Sequence, residues 1–138
     1  MSRNASESLF LAAQVTPQTV NAAANAVSGG VDVGAADEVF CAMQVGVVTG
    51  GVTAITLSIE DCDTVGGTYA AVTTVTASGS PATPASTKHY VAACKTRNLR
   101  QFARVKVAVT GGTSAIVSAA LVLEIGRASC RERVYVLV

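Results

Sequence analysis

The chain has 138 residues, a formal net charge of +1 and charged side chains at only 14% of its positions. This low charge density provides no basic stripe to neutralise a row of phosphates, so we expect no nucleic-acid partner. Half of the residues are hydrophobic, and 24 Ala and 22 Val make up most of these, so we expect a core of small side chains in a chain whose length fits one domain. No stretch approaches the ~20 uncharged apolar residues that span a bilayer, so we expect no membrane partner.

The first predicted segment, residues 1–20, stands apart from the strand pattern that follows it. Its apolar run over 9–13 is too short for a signal-peptide core, so we expect no cleaved export signal. Alternation predicts a strand over 9–15, whereas Ser6 has the position of a helix N-cap. We expect the segment to be an arm that contacts neighbouring subunits, ahead of a domain that begins at residue 21.

The strand pattern is weak at first and then regular. Residues 21–26 are rich in alanine without an amphipathic stripe, which favours an extended segment across a sheet edge over a helical turn. Beyond them, strand signals recur at roughly 8 to 14 residues, the spacing of an all-β sandwich rather than of alternating strands and helices. Strands are predicted over 37–48, 53–61, 68–77, 87–95, 101–110 and 115–124.

Double glycines separate several of these strands. In the strand over 101–110, Ala103, Val105, Val107 and Val109 alternate with Phe102, Arg104, Lys106 and Ala108. Because glycines supply the positive φ angles of a tight turn, Gly111-Gly112 is predicted to close a β-hairpin over 101–123, and Gly50-Gly51 and Gly66-Gly67 are expected to form similar turns. Residues 78–84 (SGSPATP) are expected to form a surface loop.

The predicted fold is therefore all-β. It is a single antiparallel β-sandwich, jelly-roll-like, with about seven to eight strands over residues 21–126.

The four cysteines lie at positions 41, 62, 94 and 130, without a CxxC motif or histidine spacing, so no zinc or redox site is predicted. Cys41 alternates with Val39, Met43, Val45 and Val47, and we expect it to be a small buried hydrophobe. A disulfide between Cys62 and Cys94 stays open at this point.

Charged residues form two clusters. Glu60, Asp61 and Asp63 precede a double glycine, but the spacing lacks the later acidic ligand of an EF-hand loop, which favours a solvated turn over a calcium site. The basic residues are expected to form a solvated face, with an acidic partner surface as the alternative; they are Lys95, Arg97, Arg100, Arg104 and Lys106. His89 is expected at the surface, and we predict no catalytic, cofactor-binding or metal site.

Three stretches resemble a family of small structural proteins of tailed bacteriophages. They are Asp37–Gly46 (DEVFCAMQVG), Leu57–Val72 (LSIEDCDTVGGTYAAV) and Arg97–Leu123 (RNLRQFARVKVAVTGGTSAIVSAALVL). The resemblance implies a compact β-sandwich that decorates or cements the capsid, binds the major capsid protein, forms a homotrimer and is located in the virion after assembly in the host cytoplasm. The chain departs from the family pattern at Cys62, where a small polar residue is usual, and at Tyr69, where tryptophan is common.

The resemblance implies neither an enzymatic reaction nor a cofactor. A small-residue chain with little charge suits a protein that buries flat surface against a shell and its own copies. The alternatives are a phage tail or neck component and a carbohydrate-binding β-sandwich module, although this chain has few aromatic residues to offer a sugar.

Glu124–Val134 (EIGRASCRERV) resembles the translation of a sequencing adapter. We therefore expect residues 127–138 to be a non-native tail, with the native end near Gly126 and no evolved role for Cys130. Otherwise Val134–Val138 alternates like an ordinary strand.

Overall fold

The computed structural model describes residues 9–77 and 88–125. Within these ranges the chain forms nine strands and a short 3₁₀ helix at Thr96–Asn98. The strands are β1 (Leu9–Asn21), β2 (Asn25–Val27), β3 (Val31–Asp32), β4 (Glu38–Thr49), β5 (Ala54–Cys62), β6 (Ala70–Ala77), β7 (Lys88–Lys95), β8 (Phe102–Thr110) and β9 (Ser114–Glu124).

The strands form two antiparallel sheets that pack into a sandwich. The first sheet has the order β1-β9-β4-β7 and the second has the order β2-β8-β5-β6, with β3 also paired to β8. When β2 and β3 are counted as one interrupted strand along β8, this order is that of an eight-stranded jelly roll. The predicted all-β sandwich is confirmed, and the additional strands are the short β2, which begins within the segment 21–26 that was expected to be extended, and β3, which follows it.

The double-glycine connections differ from the prediction. Both strands of the hairpin predicted over 101–123 are present, but β8 lies in the second sheet and β9 in the first. The two strands do not pair with each other, so the prediction of a hairpin is wrong. Gly111 and Gly112, with φ angles of +72° and +65°, carry the chain between the sheets. Gly50-Gly51 does the same between β4 and β5, and of the three pairs Gly66-Gly67 alone joins strands that pair with each other.

The core lies between the sheets and is built from alternate residues of each strand. On β8 the predicted alternation is confirmed, because Ala103, Val105, Val107 and Val109 are at most 1% exposed. Each fully buried Val, Leu or Ile contributes about 1.5–3 kcal/mol to folding. On β4 a register shift between Val45 and Val48 turns Val48 inward, so Val47, which alternates with Cys41 in the sequence, is 54% exposed.

Strand β1 belongs to the sandwich. It pairs with β9, with two register shifts, and its Val15 and Val20 are in the core. Residues 9–20 are therefore part of the sandwich, and the expected boundary at residue 21 falls at the end of a core strand, whereas the expected contact of this segment with neighbouring subunits stays a prediction. The predictions for Ser6, for the loop over 78–84 and for the tail over 127–138 lie outside the described residues.

Candidate functional site

The outer side of the first sheet carries two adjacent rows of apolar side chains. Directly opposed residues of antiparallel strands project to the same side of a sheet, so the pairing of β7, β4, β9 and β1 defines these rows. We call the seven apolar residues of these rows the apolar face; the first row is Val91, Ala42 and Ala120 and ends on β1 at the polar Gln14, and the second is Ala93, Phe40, Val122 and Leu11. Val91 and Leu11, at opposite edges of the sheet, are 60% and 63% exposed.

Polar groups border the apolar face. At one end Lys95 Nζ lies 2.9 Å from Glu38 Oε2, and Glu124 is opposite Glu38 in the ladder. The hydrogen bond and negative charge of Glu38 raise the pKa of Lys95 above its usual value. At the other end Gln44 pairs with Ser118. The seven side chains of the face itself are all uncharged, so the surface is apolar inside and polar at its rim.

The outer side of the second sheet is different in character, since it carries a compact cluster of ion pairs. The Glu60 side chain is only 6% exposed and binds Arg104 Nε at 2.7 Å and Lys106 Nζ at 3.5 Å. The Arg104 guanidinium lies 4.3 Å from the centre of the Tyr69 ring, and the Tyr69 hydroxyl donates to the Val65 carbonyl at 2.9 Å. These contacts place one carboxylate, two cations and an aromatic ring on a single polar surface.

A second ion pair fixes the connection between β7 and β8. Asp61 Oδ2 accepts the Arg100 backbone N–H at 2.9 Å, while Oδ1 accepts Arg100 Nε at 3.0 Å and Nη2 at 2.8 Å. Asp63 lies 3.6 Å from the same guanidinium, but its side chain is 79% exposed. The carboxylate of Asp61 thus ties the connection to the end of β5.

These contacts correct two expectations. Glu60 and Asp61 are 4% and 5% exposed within a strand, so they are not part of a solvated turn, whereas Asp63 is exposed as expected. The basic residues are not simply a solvated face, since Arg100, Arg104 and Lys106 form ion pairs with these acids and Lys95 forms one with Glu38. In residues 9–77 and 88–125, no three His, Cys, Asp or Glu side chains are grouped to hold a metal.

The described cysteines are free and buried. Cys41 is in the core as predicted, and burial raises the pKa of its thiol to about 12. Cys62 lies on β5 and Cys94 on β7, in different sheets, and the disulfide left open by the sequence is not formed. The expected exposure of His89 concerns a side chain outside the described part of the chain.

Sequence reasoning missed the apolar face, although a signal was present. The run Val39–Met43 is apolar on both faces of its strand, as is the run Val91–Ala93. Continuous apolar runs are typical of strands that are buried on both sides. Alternation by itself assigns only the inward positions, such as Cys41, to the core and gives the apolar outward positions no role.

Comparison with known proteins identifies the fold. No protein-family model and no curated protein matches the chain. A module specific for non-crystalline cellulose, CBM28, superimposes with a TM-score of 0.51 and 12% identity over 80% of this chain and 73% of that one.

Two further similar structures come from assemblies. A protein of Bacillus endospore appendages, which are disulfide-linked pili, gives a TM-score of 0.45 and 16% identity over 91% of this chain and 98% of that one. Infectious bursal disease virus, strain Gx, gives a TM-score of 0.40 and 15% identity over 86% and 32%.

No helix in the described residues is both long enough and apolar enough to cross a membrane.

Proposed function

We propose that this chain is a non-catalytic structural protein of a virion that decorates or cements a bacteriophage capsid. The observation that carries the proposal is the apolar face, which spans all four strands of the first sheet. An exposed apolar surface rimmed by polar groups is typical of a surface that is buried against another protein. The resemblance of Leu57–Val72 and Arg97–Leu123 to phage structural proteins supplies the kind of assembly, with the major capsid protein as the partner.

The charged side chains support a structural role because they hold the sandwich together. Glu60 and Asp61 are buried in ion pairs with Arg104 and Arg100. The protein would then stabilise the capsid by binding to it and would catalyse no reaction. A ligand that binds only the assembled shell stabilises that shell by about 2.7 kcal/mol at a free concentration of 100 times its Kd.

Co-sedimentation tests the proposal. The full chain is mixed with shells assembled from the major capsid protein of the phage that encodes it, and separately with purified tails and necks. We expect saturable binding to shells, at a constant ratio to capsid subunits, and none to tails. Binding to tails or necks would assign the chain to those structures, and no binding to any of the three would refute a virion role.

Carbohydrate binding is the second candidate, and it is favoured by Tyr69. Its ring is partly exposed on the polar outer side of the second sheet, with the Arg104 guanidinium beside it. Aromatic rings flanked by hydrogen-bonding groups combine an apolar surface with polar contacts, which suits sugars. A glycan array tests this candidate, and binding that is lost in Tyr69→Ala would favour it over capsid decoration.

A further inference from the structure

We infer that the outer side of the second sheet binds an acidic saccharide, with a sugar carboxylate held by Arg104 and Lys106 and a sugar ring against Tyr69. The inference rests on the second candidate function, carbohydrate binding, and goes further by naming the chemical class of the sugar. It is independent of capsid decoration, whose candidate surface is the apolar face of the first sheet.

The charges on this outer side do not cancel. Glu60 places Oε2 2.7 Å from Arg104 Nε and Oε1 3.5 Å from Lys106 Nζ, so one carboxylate is shared by two cations. The Glu60 side chain is 6% exposed, whereas those of Arg104 and Lys106 are 25% and 32% exposed. A solute that approaches from outside therefore meets the two cations before the carboxylate, and the three groups together carry a net positive charge.

The two cations suit a single carboxylate. A guanidinium carries five N–H donors in a planar fork, and in the described part of the chain Arg104 donates Nε–H to Glu60. The Nη groups of such a fork can bind a carboxylate through two parallel hydrogen bonds. Lys106 is two positions further along β8, so its side chain leaves the sheet on the same side, about 6.6 Å along the strand. Two cations at this spacing match one anionic group, not the row of phosphates in a nucleic acid.

The other carboxylates near this end of the sheet have partners of their own. Asp61 and Asp63 contact Arg100, at 2.8 and 3.6 Å. Asp32 accepts a hydrogen bond from the Gln101 side chain at 3.1 Å. None of these three carboxylates is therefore the partner of the two cations beside Glu60.

Hydroxyl side chains continue the surface beyond the cations. Ser58 lies opposite Lys106 on one side and opposite Thr74 on the other, and the hydroxyl oxygens of Ser58 and Thr74 are 3.4 Å apart. Thr56 and Thr76 form the next row. Hydroxyl groups both donate and accept hydrogen bonds, as the hydroxyl groups of a sugar also do.

Tyr69 supplies the apolar part of the surface. The Arg104 guanidinium lies 4.3 Å from the centre of its ring, and its hydroxyl donates to the Val65 carbonyl at 2.9 Å. These two contacts fix the half-buried ring in place, so a ligand does not have to order it. The exposed part of the ring offers an apolar surface to the CH groups of a sugar, next to the cations that hold its carboxylate.

A glycan array tests the inference. Oligosaccharides that carry uronic or sialic acids are printed beside the methyl esters of the same oligosaccharides, and the full chain is then titrated against those that it binds. We expect binding to the acids and at least tenfold weaker binding to the esters, because esterification removes the negative charge but keeps the sugar ring.

Lys106→Gln is the variant that tests the site. It removes one cation and leaves Glu60 paired with Arg104, and we expect it to raise the Kd for the acids at least fivefold. Lys95→Gln is the matched control, because it makes the same change in a lysine that is also paired with a glutamate, Glu38, but lies in the first sheet. The control should leave the Kd unchanged, and urea unfolding of each variant confirms that it is folded.

The outcomes are distinct. Binding that prefers acids to esters, weakens in Lys106→Gln and is unchanged in Lys95→Gln supports the inference. Equal binding of acids and esters overturns it but retains carbohydrate binding. Acid binding that is insensitive to Lys106→Gln, or that falls equally in Lys95→Gln, overturns the assignment to this surface.

Two outcomes separate the inference from the proposed function. If no saccharide binds, the inference and the carbohydrate candidate are both refuted, while co-sedimentation with shells still decides capsid decoration. If no saccharide binds and Lys106→Gln weakens binding to shells, the surface belongs to an acidic protein partner, which also overturns the inference.

Discussion

Replacing Asp61 by asparagine should weaken the anchor between the end of β5 and the connection that leads into β8. The Asp61 carboxylate is 5% exposed and accepts three hydrogen bonds from Arg100, one from the backbone and two from the guanidinium, at 2.8–3.0 Å. Asparagine preserves the shape but replaces one acceptor oxygen by an NH₂ group. One side of the amide then faces Arg100 donors with a donor of its own.

The expected loss follows from these contacts. A hydrogen bond to a charged group contributes about 1.5–3 kcal/mol, and removing one partner of a buried ion pair costs about 3–5 kcal/mol. The Arg100 side chain is 39% exposed, so water can solvate part of the freed guanidinium and the loss is smaller. We expect the free energy of unfolding to fall by about 2–3 kcal/mol, which for a domain of this size lowers Tm by roughly 8–12 °C.

Equilibrium unfolding in urea, followed by far-ultraviolet circular dichroism, measures this loss. The slope of the free energy against urea should not change, because the same surface is exposed on unfolding. Asp63→Asn is the control, since Asp63 lies 3.6 Å from the same guanidinium but is 79% exposed, and we expect a loss below about 0.5 kcal/mol. Equal stabilities of the two variants would refute the anchoring role of Asp61.

Three further predictions concern the turns, the core and the rim of the apolar face. Gly112→Ala should lower the free energy of unfolding in urea by more than about 2 kcal/mol, because φ is +65° and an added Cβ would lie 2.7 Å from the backbone oxygen of Gly50. Gly51→Ala should lower it by about 1 kcal/mol, because φ is +72° but an added Cβ would meet no other atom. Equal losses would contradict the close approach at Gly112. The Cys41 thiol, whose pKa burial raises to about 12, should react with iodoacetamide at mildly alkaline pH only after unfolding, and native labelling detected by mass spectrometry would contradict its burial. Because Glu38 raises the pKa of Lys95, their pairing stabilises the fold fully below pH 10.5 as long as Glu38 is ionised, and this contribution is lost as the pH rises through the higher folded pKa. An NMR titration should show the pKa of Lys95 fall towards its usual value in Glu38→Gln, and no change would refute the pairing.

Alternation along the chain was sufficient to predict seven strands but not their lateral partners. The inward positions of β8, such as Val105 and Val107, follow from period two alone. Period two does not specify which sheet the next strand joins, so Gly111-Gly112 was assigned to a hairpin when it connects the two sheets. The short β2 and β3 give too few residues for an alternation to be recognised.

The candidate site was less predictable because its contacts join distant parts of the sequence. Asp61 is buried because Arg100, 39 positions later, returns to bind it, and Glu60 meets Arg104 across 44 positions. A local reading of acids next to glycines gives a solvated turn, as at Asp63. The apolar face likewise forms only when β4 and β7 pair, which places Phe40 opposite Ala93.

Scanning calorimetry of capsid shells with and without this chain tests the central claim most directly. If the chain binds only the assembled shell, the Tm of the shell should rise with the concentration of added chain and continue to rise above its Kd. A shell Tm that stays constant at saturating concentrations of folded chain would contradict the claim that this protein decorates or cements a capsid.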